Sequence, residues 1–158
     1  MMRKRIINRS SKEPSPPDQD WLDLGRLARV EITSEDAGYP VESALTADGG
    51  PGWLAGEPGE QTIRLLFDEP QALRQIQLVF EEESRERTQE FVLRWSGDGG
   101  RSYREILRQQ YTFSPPGATR EVEDYVVNLQ GVTVLELGIV PDISRGDARA
   151  SLTLLRLA

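Results

Sequence analysis

The sequence predicts an all-β protein, an antiparallel β-sandwich of about eight strands, on two observations. Short stretches alternate apolar and polar residues, the period of a half-buried strand, and Gly, Pro, Asp or charged breaks separate them. Helical periodicity is scarce, so no crossover helices are available to join parallel strands, and two packed antiparallel sheets or a barrel remain.

The strands follow in order. Ala28, Val30 and Ile32 share one face of the first. Ile63, Leu65 and Phe67 form the inward face of another, and Ile76, Leu78 and Phe80 that of a third. Phe91, Leu93 and Trp95 alternate with Glu90, Arg94 and Ser96, and Tyr103 to Tyr111 follows as the next strand. Tyr125, Val127 and Leu129, then Leu135, Leu137 and Ile139, and finally Leu152 and Leu154 complete the series. One helical turn is predicted at Pro40 to Leu45, with Pro at the first helical position, where its missing N–H costs nothing.

Two loops are rich in residues that tolerate positive φ. Ser96-Gly97-Asp98-Gly99-Gly100 lies between two strands and reads as a tight hairpin. Asp48-Gly49-Gly50-Pro51-Gly52 leads directly into Trp53.

With 158 residues, the chain is long enough for one domain with a hydrophobic core. Residues 1–20 carry Arg3, Lys4, Arg5, Arg9 and Lys12, then a Ser/Pro-rich run, and read as a flexible tail; residues 21–158 read as the folded domain. Histidine and cysteine are both absent. That removes the usual zinc ligands, Cys–His and Ser–His nucleophile pairs and any disulfide, leaving carboxylate chemistry as the available catalytic route. A net charge of −7 disfavours nucleic acid and anionic membranes as partners. No stretch has the length of a membrane span or of a signal-peptide core, and with no cysteine the expectation is a cytoplasmic location.

Several residues in order, Ala44, Asp48, Gly49 and Trp53, the strand Gln61 to Phe67, Pro70, and above all Glu90-Phe91-Val92-Leu93 through Ser96-Gly97-Asp98-Gly99 to Tyr103, resemble the discoidin or coagulation-factor type C family. The likeness runs from about Ala28 to the C-terminus. It implies the galactose-binding-like jelly roll, whose members bind sugars, lipid headgroups, proteins and occasionally nucleic acid. The bracketing cysteines of the animal members are missing. The calcium site of many sugar-binding members joins the Asp-Gly loop to an acidic residue near the last strand, where this chain has Leu154-Leu155-Arg156-Leu157-Ala158. Half of that site is absent, so no cofactor is expected. A fainter likeness, through Leu45, Ala47, Asp48, Trp53 and Gly59 to Ile63, is to the amino-terminal domain of single-strand-break repair scaffolds, which has the same jelly roll.

In such a fold, ligands are expected at loops clustered at one end of the sandwich. Three loops qualify. Ser34 to Trp53 offers Glu35, Asp36, Tyr39 and Asp48; Tyr39 is the exposed aromatic candidate, whereas Trp53 reads as core. Glu81 to Thr88 reads as a solvated charged loop. Thr112 to Ala118 holds Phe113 in a Pro-rich connector. Arg101, Arg104 and Arg108 could pair with carboxylates or phosphates, and the spacing of the last two predicts a shared sheet face. The residues selected for ligand contact are Tyr39, Asp48, Arg101 and Phe113, with no catalytic or metal residue. The leading expectation is a non-catalytic binding module for a carbohydrate or a protein surface. The alternatives are an assembly subunit of a larger complex, a carboxylate-dependent hydrolase and a DNA-repair scaffold domain.

Overall fold

The computed structural model describes residues 20–46 and 50–158. The predicted tail, apart from Asp20, lies outside the described residues, as does Asp48. The chain order is α1 (Leu24–Leu27), β1 (Ala28–Ile32), α2 (Glu42–Leu45), β2 (Trp53–Leu54), β3 (Gln61–Glu81), β4 (Arg87–Ser96), β5 (Arg104–Phe113), β6 (Arg120–Val140), β7 (Ser151–Leu152) and β8 (Leu154–Leu157). Every strand ladder is antiparallel. The predicted helical turn is α2.

The sandwich is built by two long strands that belong to both layers. The first half of β3 pairs with β1 and with the second half of β6, which continues into β4 and then β5. The second half of β3 pairs with β8 and with the first half of β6. Phe80 in one layer meets Phe91 in the other, with ring centroids 5.2 Å apart. The two apolar faces therefore pack together as a single core.

The apolar runs 63–67 and 76–80 were expected as separate strands, and so were 125–129 and 135–139; each pair is one continuous bent strand. Register shifts between Leu66 and Gln75 carry the bend in β3. Bulges let a strand turn a corner while ladder bonds continue on either side. Pro70, which cannot donate to a ladder, sits among the unpaired residues of the shift. The slip also changes which alternate residues face inward, from Ile63, Leu65 and Phe67 to Ile76, Leu78 and Phe80.

A second bulge corrects the reading of the arginine strand. Leu107 pairs with Leu93 but Glu105 pairs with Arg94, which leaves Ile106 as the extra residue. Arg104, opposite Trp95, and Arg108, opposite Val92, are thereby placed on opposite faces instead of a shared one. Arg108 lies on the outer face and bonds Glu90 at 2.6 Å and Glu105 at 3.0 Å.

Candidate functional site

One end of the sandwich gathers the loops. The turn from Asp36 to Tyr39 is tied to β2 by Asp36 N–H donating to Leu54 O at 2.8 Å and Leu54 N–H donating to Tyr39 O at 3.3 Å. Glu82 N–H donates to Thr119 O at 2.9 Å, which brings the 82–86 and 113–119 loops together. The segment between β6 and β7 closes the end, through Ile143 N–H to Thr88 O and Ala55 N–H to Ala150 O.

These loops surround an open cleft of about 690 Å³, whose lining combines Tyr39, Pro51 and Leu54 with Glu81, Glu82, Glu83, Ser84, Arg85, Asp147, Arg149 and Ser151. Tyr39 is 42% exposed, held in place by backbone bonds on both sides of its ring-bearing residue. Arg149 spans the wall, donating from Nη1 to Asp36 Oδ2 at 3.3 Å and to Ala55 O at 3.2 Å. Arg85 Nη1 donates to Asp147 Oδ1 at 2.9 Å. That hydrogen bond and the guanidinium charge hold the Asp147 carboxyl below its ordinary range. A neighbouring cleft of about 480 Å³, lined by Pro141, Ile143 and Arg145 among others, shares the wall residue Ala148.

Beneath the cleft runs a polar chain that penetrates the core. Arg87, with a side chain only 1% exposed, donates from Nε to Glu82 Oε1 at 2.6 Å and from Nη1 to Pro141 O at 2.8 Å. Its guanidinium lies 4.9 Å from the centre of the Phe113 ring. Burial pushes the Glu82 carboxyl up, but the bonds from Arg87 and Ser84 together outweigh it and leave it lowered. Arg87 also reaches Gln89 Oε1 at 3.3 Å, and Gln89 Nε2 donates to Glu121 Oε1 at 3.3 Å.

Glu121 is 2% exposed, and its Oε2 has no hydrogen-bond partner among the described residues. Burial, reinforced by the adjacent Glu123 carboxylate, pushes its carboxyl up to about 9, so it is neutral at pH 7. Glu123 in turn accepts from the Tyr125 hydroxyl at 2.9 Å, and burial raises the tyrosine.

The structure separates the residues selected from the sequence. Tyr39 is at the cleft. Arg101 is exposed in the hairpin beyond Ser96, at the far end of β4 from Arg87. The ten residues of β4 put these two ends about 30 Å apart. Phe113, chosen as a contact residue, is fully buried between Tyr111 and Arg87 and presents no surface to a ligand. Its place at the end of β5 explains this: it faces Arg87 across the ladder, on the core side. Trp53 is core, as read, with Nε1 donating to Ser34 O at 3.0 Å. The 81–88 loop, read as merely solvated, supplies Glu82, Glu83 and Arg85 to the cleft. Nothing in the sequence pattern singles out Asp147 and Arg149, although Pro141, Asp142, Ser144, Gly146 and Asp147 mark their segment as a loop by composition. Among the described residues, no group of three His, Cys, Asp or Glu side chains is placed to hold a metal ion.

Two features define the class, an antiparallel sandwich with shared long strands and loops gathered at one end: this is the galactose-binding-like jelly roll. Solved structures of this fold superpose on most of the chain. A CBM32 module from Clostridium perfringens in complex with GalNAc-β-1,3-galactose does so with a TM-score of 0.65 at 15% identity, covering 87% of this chain and 99% of that one. The family 32 module of C. perfringens NanJ in complex with galactose gives 0.63 at 12% identity, with 87% and 96% covered. The CBM32 of AlyQ in complex with 4,5-unsaturated mannuronic acid gives 0.60 at 17% identity, with 89% and 98% covered. No protein-family model and no curated protein sequence matches the chain. At these identities, the likeness establishes the fold.

Proposed function

We propose that the chain is a non-catalytic carbohydrate-binding module of the discoidin type, with its ligand in the cleft beside Tyr39. The observation that carries this reading is the exposed Tyr39 ring at the edge of a polar cleft, fixed on a rigid sandwich. An aromatic face packs against the C–H side of a sugar ring, while carboxylates and guanidiniums around it accept from and donate to hydroxyls. A cleft of this size suits one or two sugar rings. The fold neighbours solved with galactose, a GalNAc disaccharide and a mannuronate derivative support the reading. So does the state of the carboxyls: Glu82 and Asp147 at the cleft are held low, and the raised Glu121 is sealed in the core, which is no arrangement for a general acid at the cleft.

The test is a glycan array of the full chain with and without calcium, followed by titration of the retained glycans. The expected result is retention that Tyr39→Ala abolishes without changing the melting temperature. Retention of no glycan under either condition would overturn the proposal.

A second reading, an assembly subunit, is favoured by one observation. Val122 and Val126 point outward from β6, and Val126 is 90% exposed. If this face joins copies of the chain, Val126→Asp lowers the sedimentation coefficient; an unchanged coefficient removes that form of the reading.

A further inference from the structure

We infer that the free edge of β6, residues 120–126, is a self-pairing surface: it adds antiparallel to the same strand of a second copy of the chain, centred on Val122. This rests on the assembly reading above, to which it gives a partner and a register, and it is independent of the carbohydrate reading. Gln75 exchanges both of its backbone bonds with Ala158, at 2.9 and 3.0 Å. Every second residue of β3 from Gln75 to Glu81 therefore aims its N–H and C=O to the β8 side. Their opposite numbers in β6, Val126, Asp124, Val122 and Arg120, aim the other way. On that side β6 pairs with β4 only from Val134 to Val140, and among the described residues no ladder covers 120–126. An open edge of this kind is a template for another strand.

The sandwich is also one strand short here. Gln89 of β4 reaches Glu121 of β6 across the core, so β5, the next strand after β4, overhangs the edge of the layer that β6 ends. Leu107 and Tyr111, on the inward face of β5, are only half-buried, as is Tyr125 of β6. A strand added to β6 would lie beneath them. The Tyr111 hydroxyl donates to Arg120 O at 3.2 Å, which leaves that carbonyl a second lone pair for the added strand.

The order of charge along the edge selects a second copy as the occupant. Arg120, Val122 and Asp124 are all exposed on the outer face and read positive, apolar, negative. Antiparallel pairing about Val122 sets Arg120 against Asp124 of the second copy, Val122 against its own equivalent, and Asp124 against Arg120. Opposite charges facing each other across two strands attract, and like charges repel. Both groups have capacity left: Arg120 bonds Glu81 through Nη1 and Asp124 accepts from Gln75 at Oδ1, while Nε, Nη2 and Oδ2 have no partner among the described residues. Centring the pair on Glu123 or Asp124 would oppose that acid with itself. Register shifts begin beyond Val126, which leaves no regular edge for a centre further along. On the inward face Glu121 meets Glu123 of the second copy, and because Glu121 is neutral at pH 7 the two are not like charges. So short an edge buries less than a standard interface, and the dimer is expected to be weak and concentration-dependent.

The experiment is sedimentation velocity of the intact chain over a concentration series from low micromolar to millimolar, where a monomer–dimer equilibrium is expected. Arg120→Asp sets two carboxylates face to face, and Asp124→Arg two guanidiniums, in each case twice per dimer. Each variant alone is expected to weaken dimerisation by about tenfold or more. Mixed in equal amounts, the two restore opposite charges at both positions and dimerise at least as well as the unsubstituted chain. Arg120→Gln and Asp124→Asn, which add no repulsion against Glu81 or any other neighbour, should each weaken the dimer by a smaller factor, and melting curves confirm that all four variants are folded. A dimer that none of these substitutions weakens, or that mixing the charge-reversed variants does not restore, overturns the inference while leaving the chain self-assembling. A chain that stays monomeric throughout the series overturns the inference together with self-association as a form of the assembly reading.

Discussion

The two ends of the sandwich handle polar groups in opposite ways. At the hairpin end, Asp98 directs its carboxylate at its own turn: Oδ1 accepts from Ser96 Oγ and from the Arg101 and Ser102 N–H groups, and Oδ2 accepts from Ser102 Oγ. Gly99 and Gly100 take φ values of 77° and 95°, which allow the chain to close around it. At the cleft end Glu82 and Asp142 also accept bonds within their own turns, but other polar groups bond between loops. Arg149 joins residues 113 positions apart, Arg85 joins residues 62 apart, and Glu83 has no partner among the described residues. The Asp98 carboxylate is thus satisfied by its own turn, and the turn is tied to β6 where Gly99 N–H donates to Thr133 Oγ1 at 2.9 Å. A surface assembled from several loops has groups spare, and its alignment depends on the buried chain beneath it.

That dependence gives the largest expected effect. Arg87→Met removes the cation while leaving Glu82 partly buried and the Pro141 carbonyl without its donor. Breaking a buried pair from one side costs about 3–5 kcal/mol, or roughly 6–20 °C in melting temperature for a domain of this size. Adding Glu82→Gln should recover part of the loss, because the uncompensated charge is then gone. By contrast, Arg85→Met breaks an exposed pair and should cost no more than about 1 kcal/mol. Equal losses from Arg87→Met and Arg85→Met in thermal unfolding would contradict the distinction between a buried support and a surface wall.

The next effect is a gain. Glu121 is an acid whose folded-state pKa, about 9, stands above its ordinary 4.5. The folded chain thus holds a proton that the unfolded chain has released, and stability falls as pH rises between those two values. Burial is the main cause and Glu123 adds to it, while Gln89 and Arg87 act in the opposite direction. Glu121→Gln removes the titration. It should raise the melting temperature at pH 8, because the unfolded chain then no longer gains by releasing a proton that the folded chain retains, and make little difference at pH 4. A gain independent of pH would show that the amide packs better for some other reason.

Binding separates the two ends most directly. Tyr39→Ala should cost about 2 kcal/mol of glycan affinity, the scale of an aromatic anchor at a binding surface. Arg101→Ala, in the hairpin beyond the far end of β4, should leave affinity unchanged. Isothermal titration of both variants against one retained glycan checks this; a loss at Arg101 and none at Tyr39 would move the site to the hairpin end.

Much of the fold was legible because period-2 apolar runs report strands regardless of what they pair with. The inward residues of 28–32, 63–67, 76–80 and 91–95 were each readable from the chain alone, as was the hairpin at Ser96. The bends were not, because a bulge depends on the partner strand: Asp68, Glu69 and Pro70 read as a break, whereas the register shift carries β3 through them. The interior polar chain escaped for a related reason. Glu121 and Glu123 share the parity of Tyr125 and Val127, and Arg87 and Gln89 share that of Phe91, so the inward face continued through charged residues where composition suggested that the strand had become surface. Of the cleft, Tyr39 was legible as an exposed aromatic in a loop. Its partners were not: the pairing of Arg149 with Asp36 exists only once β2 and β7 have brought their flanking segments together.

The smallest expected effect lies at the closed end and tests whether it is self-contained. Hydrogen bonds from the Ser96 and Ser102 hydroxyls, then from the Ser102 and Arg101 N–H groups, hold the Asp98 carboxyl well below its ordinary 3.8. A depressed acid contributes stability that is complete above the unfolded value and is lost as pH falls through the folded one. Asp98→Asn should therefore lower the melting temperature at neutral pH, and the difference from the unsubstituted chain should shrink as the pH drops below 3.8. Because every one of these bonds stays within residues 96–102, the substitution should not alter glycan affinity. If Asp98→Asn weakened binding as well as the turn, the two ends would be coupled through β4, and the rigidity attributed to the sandwich between them would have to be abandoned.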